Sequence, residues 1–179
     1  MTLVRPAREA DTEPIRETHV AAIEAFGPDA YDERAVAAWA DRGDDHSLEG
    51  LDGPDTYWAV AERDGHSEID ADDGVPVSGF GRLDLAPEER DGDEERTDGA
   101  GEVVAVYVHP DRARSGVGSA VLAHLEGYAR GAGLAELSLT ASLNAVAFYE
   151  RAGYERVEGV TLEIGGGVAI DCVRMHKPL

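Results

Sequence analysis

The clearest chemical signal in this chain is a pair of closely spaced glycines placed after an apolar run. Val103-Val104-Ala105-Val106-Tyr107-Val108-His109-Pro110 leads into Arg114-Ser115-Gly116-Val117-Gly118-Ser119. The first stretch reads as a buried β-strand ending in a proline turn, and the second opens a long amphipathic helix. The first amides of a helix lack partners inside it, and the aligned peptide dipoles add partial positive charge at that end. Glycine lets such a backbone come close to a ligand, so the loop suits a phosphate or diphosphate. Spacing excludes two familiar phosphate binders. A P-loop requires a lysine and a hydroxyl residue directly after its last glycine, where this chain has Ser119 and Ala120. The dinucleotide fingerprint requires a third glycine at position 121, which is Val.

Further along, Glu136-Leu-Ser-Leu-Thr-Ala141 reads as a strand, followed by Asn144-Ala-Val-Ala-Phe148-Tyr149-Glu-Arg-Ala-Gly153-Tyr154. Strand, proline, basic loop, Gly-x-Gly helix, strand and an Asn-x-x-x-Phe-Tyr-Glu-x-x-Gly-Tyr segment, in this order, resemble the GNAT superfamily of acyl-CoA N-acyltransferases. The resemblance is clear from about Glu102 to Tyr154. It extends to Met175-His-Lys-Pro-Leu179, which looks like the family's last strand, and is faint before residue 50. It implies an α/β fold: a mixed, mostly antiparallel twisted sheet with a splayed parallel pair and helices on both faces. It also implies acetyl-CoA as co-substrate, held where strand 103–108 parts from the strand beginning near Glu136. Acetyl would pass to a primary amine by direct attack through a tetrahedral intermediate. The alternative is a non-catalytic acyl-CoA-binding or sensing module that kept the loop and lost turnover.

The resemblance assigns roles residue by residue. A backbone N–H in Val106-Tyr107-Val108 would hold the thioester carbonyl, and one well-aimed donor of this kind is worth ~3–4 kcal/mol. The diphosphate would rest on amides of Ala113, Arg114, Ser115, Gly116, Val117, Gly118 and Ser119. Ala113 departs from the family, which usually has Arg or Gln there; Arg112 and Arg114 flank it. Tyr149 would protonate the departing thiolate, since an ordinary phenol with pKa ~10 carries its proton at neutral pH. Asn144 would cap the Tyr149 helix and touch the cofactor arm. Glu102, at the start of the splayed strand, looks like the glutamate that serves as a water-linked base in histone-type members. Tyr31 and Trp39 are candidate walls for the acceptor. His109 reads as structural. Cys172, on the last strand, is read as a small core residue far from the motifs, which argues against a covalent thiol route.

The elements that must position these residues follow from local signals. Leu3-Val4-Arg5-Pro6 reads as a first strand, and Asp11 as the cap of a helix with Ile15, Ala22, Ile23 and Phe26 on its apolar face. Asp32 heads a second helix carrying Val36 and Trp39 and ending near Gly43. Thr56–Glu62 and Val75–Asp84 read as antiparallel strands joined by the acidic stretch 63–74. Residues 86–101 are almost devoid of apolar side chains and read as a flexible acidic loop. Asp91-Gly92-Asp93 within it lacks the spacing of an EF-hand, and no metal site is expected. The helix beginning at Val117 places Val121, Leu125, Tyr128 and Ala129 on one stripe, with Gly131 and Gly133 ending it. Arg156–Ile164 and Val168–His176 read as a hairpin across Gly165-Gly166-Gly167.

Composition sets the outer bounds. A chain of 179 residues suits one domain, which the resemblance makes a single N-acetyltransferase domain over 1–179. Sixteen Lys and Arg against 37 Asp and Glu give a formal net charge of −21, and Lys177 is the sole lysine. Such a surface disfavours nucleic acid, whose binding relies on Lys and Arg at phosphates. Near 1 M salt the Debye length is ~3 Å, which screens the self-repulsion. The acid-rich, lysine-poor composition resembles proteins of salt-in halophiles. No apolar run approaches the ~20 residues of a membrane span, and a cytoplasmic enzyme with a small-molecule or peptide amine acceptor is the expectation. Homodimer formation stays open.

Overall fold

A computed structural model describes residues 2–41, 48, 50–51, 53–62, 76–87 and 99–179. Its elements are β1 (Val4–Pro6), α1 (Thr12–Phe26), α2 (Glu33–Asp41), β2 (Thr56–Glu62), β3 (Val77–Asp84) and β4 (Ala100–Val108), then α3 (Val117–Gly131), β5 (Glu136–Ser142), α4 (Val146–Arg151), β6 (Glu155–Gly165) and β7 (Val168–Pro178). Short 3-10 turns lie at Glu9–Asp11, Gly27–Asp29 and Pro110–Arg112. The seven strands form one sheet in the order β1-β2-β3-β4-β5-β7-β6. Every pairing is antiparallel except β4 with β5. The mixed sheet with one parallel pair is the architecture the sequence implied.

Helices cover both faces. Val121, Leu125 and Ala129 of α3 are fully buried against Ala59, Leu83, Val103 and Leu137. On the opposite face, Ile15 of α1 packs with Trp58, Val60 and Phe80. α2 lies over the far end of the sheet, where Ala35 meets Ile164, Ile170 and Cys172. Close approach of α3 requires two glycines on β3. A Cβ on Gly81 would stand 2.8 Å from both Leu125 Cδ1 and Val121 Cγ1, and one on Gly79 would stand 2.7 Å from Val117 Cγ1. Among the described residues, no helix is long and apolar enough to cross a membrane.

Several local expectations need correction. The Asp11 carboxylate does not cap α1. It accepts from Arg5 Nη1 and Nη2 at 2.7 and 2.9 Å and from the Arg8 amide at 2.8 Å. A guanidinium with a bidentate fit outcompetes a neutral amide for a buried carboxylate. Tyr128 leaves the core stripe: it is 42% exposed and stacks on Tyr57, centroids 3.6 Å apart. Asn144 is not the cap of α4, a position held by Ala145. Asp32, by contrast, does cap α2, its Oδ1 accepting from the Ala35 amide at 2.8 Å. The expected end of α2 near Gly43, the 63–74 connection and most of the 86–101 loop lie outside the described residues.

Replacement of Gly81 by Ala is expected to destabilise the protein by about 1–3 kcal/mol, because a fully packed interior has no room for the added methyl. Urea unfolding of the variant checks this, and an unchanged midpoint would show that α3 can move away from the sheet.

Candidate functional site

The site begins where two strands part. β4 pairs with β5 only over Ala100–Val103 against Glu136–Leu139. Beyond that, β4 stays bonded to β3 as far as Val108, and β5 stays bonded to β7 as far as Ser142. A bulge in β4 opposite Arg82 and Leu83 leaves Val104 without a register partner, and bulges increase local twist and bend the strand. The two strands therefore turn away from each other and open a wedge.

Alternation along β4 decides which amides face that wedge. The His109 amide donates to the Ser78 carbonyl at 2.9 Å. In an antiparallel ladder every second residue points its N–H and C=O to the same neighbour. The Tyr107 amide is therefore turned to β3, and those of Val106 and Val108 are turned to the open side. Of the three strand residues singled out by sequence, two are placed to offer a backbone donor.

Two cavities meet at the wedge. One, of about 390 Å³, lies on the α1 and α2 face; the other, of about 830 Å³, runs between the α3 and α4 N-termini. Trp39, Val106, Tyr107, Ser142, Ala145 and Tyr149 line both. Both volumes are in the range of small-molecule sites.

The larger cavity contains the glycine loop. Ala113, Arg114, Gly116, Gly118 and Ser119 line it, together with Asn144 and Phe148. Arg114 and Gly116 take positive φ, 58° and 88°, to turn the chain into α3. Val117, Gly118 and Ser119 occupy the first turn, so their amides have no acceptor within the helix. The amides of Ala113 and Ser115 are already used inside the turn, bonding Pro110 O at 3.1 Å and Arg112 O at 3.4 Å. The Ser115 hydroxyl also bonds Arg112 O. The run of seven expected amides thus narrows to its C-terminal part. Arg114 reaches the cavity, whereas Arg112 is not among its lining residues.

Tyr149 stands on α4 at the junction. It is 7% exposed, and burial first, then the neighbouring Tyr107 hydroxyl, pushes its pKa well above the ordinary phenol range. Its hydroxyl makes no hydrogen bond to the described residues, so it is a protonated donor facing the wedge. Phe148, expected to enter the core, is the less buried of the two and packs beside Gly118, whose added Cβ would lie 3.4 Å from Phe148 Cε2. Asn144 Nδ2 donates to Phe26 O at 3.3 Å, tying the entry of α4 to the end of α1.

The smaller cavity takes its floor from the sheet. Glu102 lines it and is 9% exposed. It stands four positions before Val106, about 13 Å along an extended strand. Proton transfer over that span needs a chain of waters, since one hydrogen bond covers only about 3 Å. Trp39 forms a wall, while Tyr31 is not among the lining residues of either cavity. Tyr31 instead braces Trp39, ring edge to face with centroids 5.8 Å apart. Its hydroxyl donates to Asp171 O at 2.7 Å and accepts from the Leu143 amide at 2.8 Å, and burial pushes its pKa up to about 12. His109 Nδ1 accepts from the Asp111 amide at 3.3 Å and is in neither cavity.

Cys172 is a buried core residue on the last strand, as expected, but it is not far from the motifs. It pairs with Ser142 across β5 and β7 and lines the smaller cavity. Burial raises its thiol pKa, which keeps sulfur protonated and poorly nucleophilic. Sequence reasoning also missed Arg16, His19 and Arg82, which line the same cavity. His19 packs edge-on against Tyr107 with centroids 4.6 Å apart. Alternation in β3 was the available signal for Arg82, since Phe80, Arg82 and Asp84 share one face.

The sequence pattern of the Acetyltransferase (GNAT) family matches residues 16–154. No curated protein is significantly similar in sequence. Among solved structures, a GCN5-related N-acetyltransferase from Rhodopseudomonas palustris is 25% identical, with a TM-score of 0.79, covering 100% of this chain and 96% of that one. The PaiA N-acetyltransferase of Thermoplasma acidophilum, in complex with coenzyme A, is 17% identical with a TM-score of 0.71 over 100% and 99% of the two chains. YncA of Salmonella typhimurium, described as an acetyltransferase with its cofactor acetyl-CoA, is 21% identical with a TM-score of 0.60 over 99% and 93%.

The buried phenols carry a pH signature. Tyr31, Tyr149 and Tyr154 all have raised pKa values, so the folded state holds protons that the unfolded chain releases near pH ~10. Their contribution to stability is complete below about pH 10 and falls as pH rises further. Urea midpoints measured across that range should drop with pH, and Tyr149→Phe should make the drop shallower. A slope unaffected by the substitution would place the Tyr149 hydroxyl in water.

Proposed function

The chain belongs to the acetyltransferase (GNAT) family, and on that premise we propose that it transfers acetyl from acetyl-CoA to a primary amine by direct attack. The observation that carries this reading is the meeting of two cavities at one point, where a backbone donor of β4 and the Tyr149 hydroxyl both face the opening. Acetyl-CoA supplies an activated thioester. The larger cavity fits its elongated form: first-turn amides of α3 at one end suit a diphosphate, and the wedge at the other suits an acyl group.

The chain's own groups then divide the work. Amides of Val117, Gly118 and Ser119, with Arg114 beside them, hold the diphosphate. The Val106 or Val108 amide, turned away from β3, receives the acyl oxygen and stabilises the negative charge that gathers there during attack through a tetrahedral intermediate. The amine enters from the smaller cavity, and its nitrogen bonds to the acyl carbon as the carbon–sulfur bond breaks. Tyr149 donates its proton to the departing sulfur; its raised pKa ensures that the proton is present at neutral pH. The surplus proton on nitrogen leaves by water toward Glu102. Trp39, braced by Tyr31, closes the acceptor side. The protonated Cys172 supports direct transfer over a thiol-linked intermediate.

Coverage of whole related structures from end to end supports reading residues 1–179 as one domain. The charge of −21 with one lysine supports a cytoplasmic protein adapted to concentrated salt.

A panel of primary amines, assayed by release of free thiol from acetyl-CoA in high salt, tests the reaction. Steady release with at least one amine is expected, and coenzyme A binding without release from any amine would leave a sensing module in its place. Tyr149→Phe should lower kcat by about 100-fold, the lower end of general acid contributions, with acetyl-CoA affinity nearly unchanged. Gly118→Val should abolish binding of coenzyme A, because its Cβ would press on Val108 at 3.2 Å and on Phe148. Intact binding in that variant would move the diphosphate site elsewhere.

A further inference from the structure

We infer that the acceptor amine is a small aminocarboxylate with an apolar body, and that Arg82 is the specificity-determining residue that receives its carboxylate. The inference rests on the acetyl-transfer reading and concerns the smaller of the two cavities.

Arg82 lies on β3 opposite Ala105, one residue from the Val106 amide. Its guanidinium is held in place from two sides. Asp84 accepts from Nε at 3.0 Å and from Nη2 at 3.1 Å, and the Trp58 ring lies beneath, 5.5 Å from Cζ to centroid. A bidentate partner and an aromatic face fix both the plane and the direction of the fork. The remaining nitrogen, Nη1, makes no hydrogen bond to the described residues, and Arg82 lines the cavity with its side chain 23% exposed. A preorganised guanidinium with a free donor edge is the group best matched to a carboxylate.

The surrounding charge strengthens the case. In a chain at −21, this cavity carries two guanidiniums against two lining carboxylates, Glu102 and Glu163, so its lining is formally balanced where the surface as a whole is acidic. The second guanidinium is Arg16 of α1, which also bonds Glu13 at 2.9 Å toward the rim. Glu102 faces the same cavity from β4, in register with Asp84. Positive and negative groups at neighbouring positions suit a ligand carrying both an ammonium and a carboxylate. Ile15, Trp39, Trp58 and Phe80 are also in the lining and suit an apolar body between them. At about 390 Å³ the space fits a small molecule.

Trp39 and Trp58 are the only two tryptophans in the chain, and both line this cavity. Intrinsic fluorescence therefore reads acceptor binding without any acetyl transfer. The experiment titrates matched pairs that differ by one carboxylate: L-phenylalanine against 2-phenylethylamine, and 5-aminopentanoate against pentylamine. A site built around a buried polar group rejects the analogue that lacks its partner, so the carboxylate-bearing member of at least one pair should bind at least about tenfold more tightly. Arg82→Gln should bring that ratio close to one, and Arg82→Lys should restore part of it. Far-UV circular dichroism checks that the variants fold, and the wild-type comparison stands by itself if Arg82→Gln does not. Equal affinities within both pairs, no fluorescence change with any probe, or a ratio untouched by Arg82→Gln in folded protein would overturn the inference. Failure of the underlying reaction shows separately, as carboxylate-selective binding with no thiol release from acetyl-CoA.

Discussion

The site depends on one interruption of backbone hydrogen bonding. A sheet is stable because its interior strands satisfy both edges, and an unpaired buried N–H or C=O is costly. β4 and β5 are interior strands, yet they bond each other only from Ala100 to Val103 and from Glu136 to Leu139. Past that point each strand keeps its outer neighbour and loses its inner one. The Val104 bulge starts the divergence, and Ala145 and Tyr149 fill part of the gap from α4. The inner edges of both strands then need a partner from outside the sheet. The binding proposed at this position would follow from how the sheet is built, before any side chain is considered.

Legibility of this arrangement divides along the same line. The Gly116–Ser119 loop and the strand preceding it could be read because glycine, proline and β-branched residues constrain the backbone locally. Features that depend on long-range neighbours were harder. Asp11 has the residue type and position of a cap, but Arg5 sits within reach only because β1 folds back beside it. Asn144 likewise finds Phe26 O across 118 residues of chain. Cys172 is remote from the motifs in sequence, but β7 lies between β5 and β6 and brings it opposite Ser142. Arg82 enters the cavity because β3 runs antiparallel to β4. Apart from Arg5 and Asp11, six residues apart, no local spacing encodes these meetings.

The scarce cations show how an acidic chain keeps its shape. Arg5 joins Asp11 and Glu62 where β1 meets β2. Lys177, the single lysine, gives its ammonium to both oxygens of Glu126 at 2.8 and 2.9 Å and to Ala152 O at 2.8 Å, above the Tyr154 ring. These groups are largely sheltered, with side chains 13% and 20% exposed for the two cations. Salt screens sheltered pairs far less than exposed ones. The same salt that quiets repulsion between surface carboxylates would leave these links in place.

On the proposed reading, the two halves of the site would recognise their ligands by different means, which accords with a fold shared so far beyond sequence. On the coenzyme side the contacts proposed are main-chain amides, which any residue can supply once the backbone takes the correct path. Glycine is demanded only where that path has positive φ, as at Gly116, or close packing, as at Gly118. Such a half-site can persist while side chains drift, consistent with TM-scores of 0.60–0.79 at identities of 17–25%. On the acceptor side, the lining is made of side chains from α1, α2, α4 and strands β2 to β7, so recognition there would depend on residue identity rather than on backbone path. On the proposed reading, the donor side rests on backbone that the fold itself supplies, and acceptor choice would rest on residues such as Arg82, Glu102 and Trp39. A substitution at Arg82 would alter which amine is chosen while leaving intact the backbone that activates the acyl group.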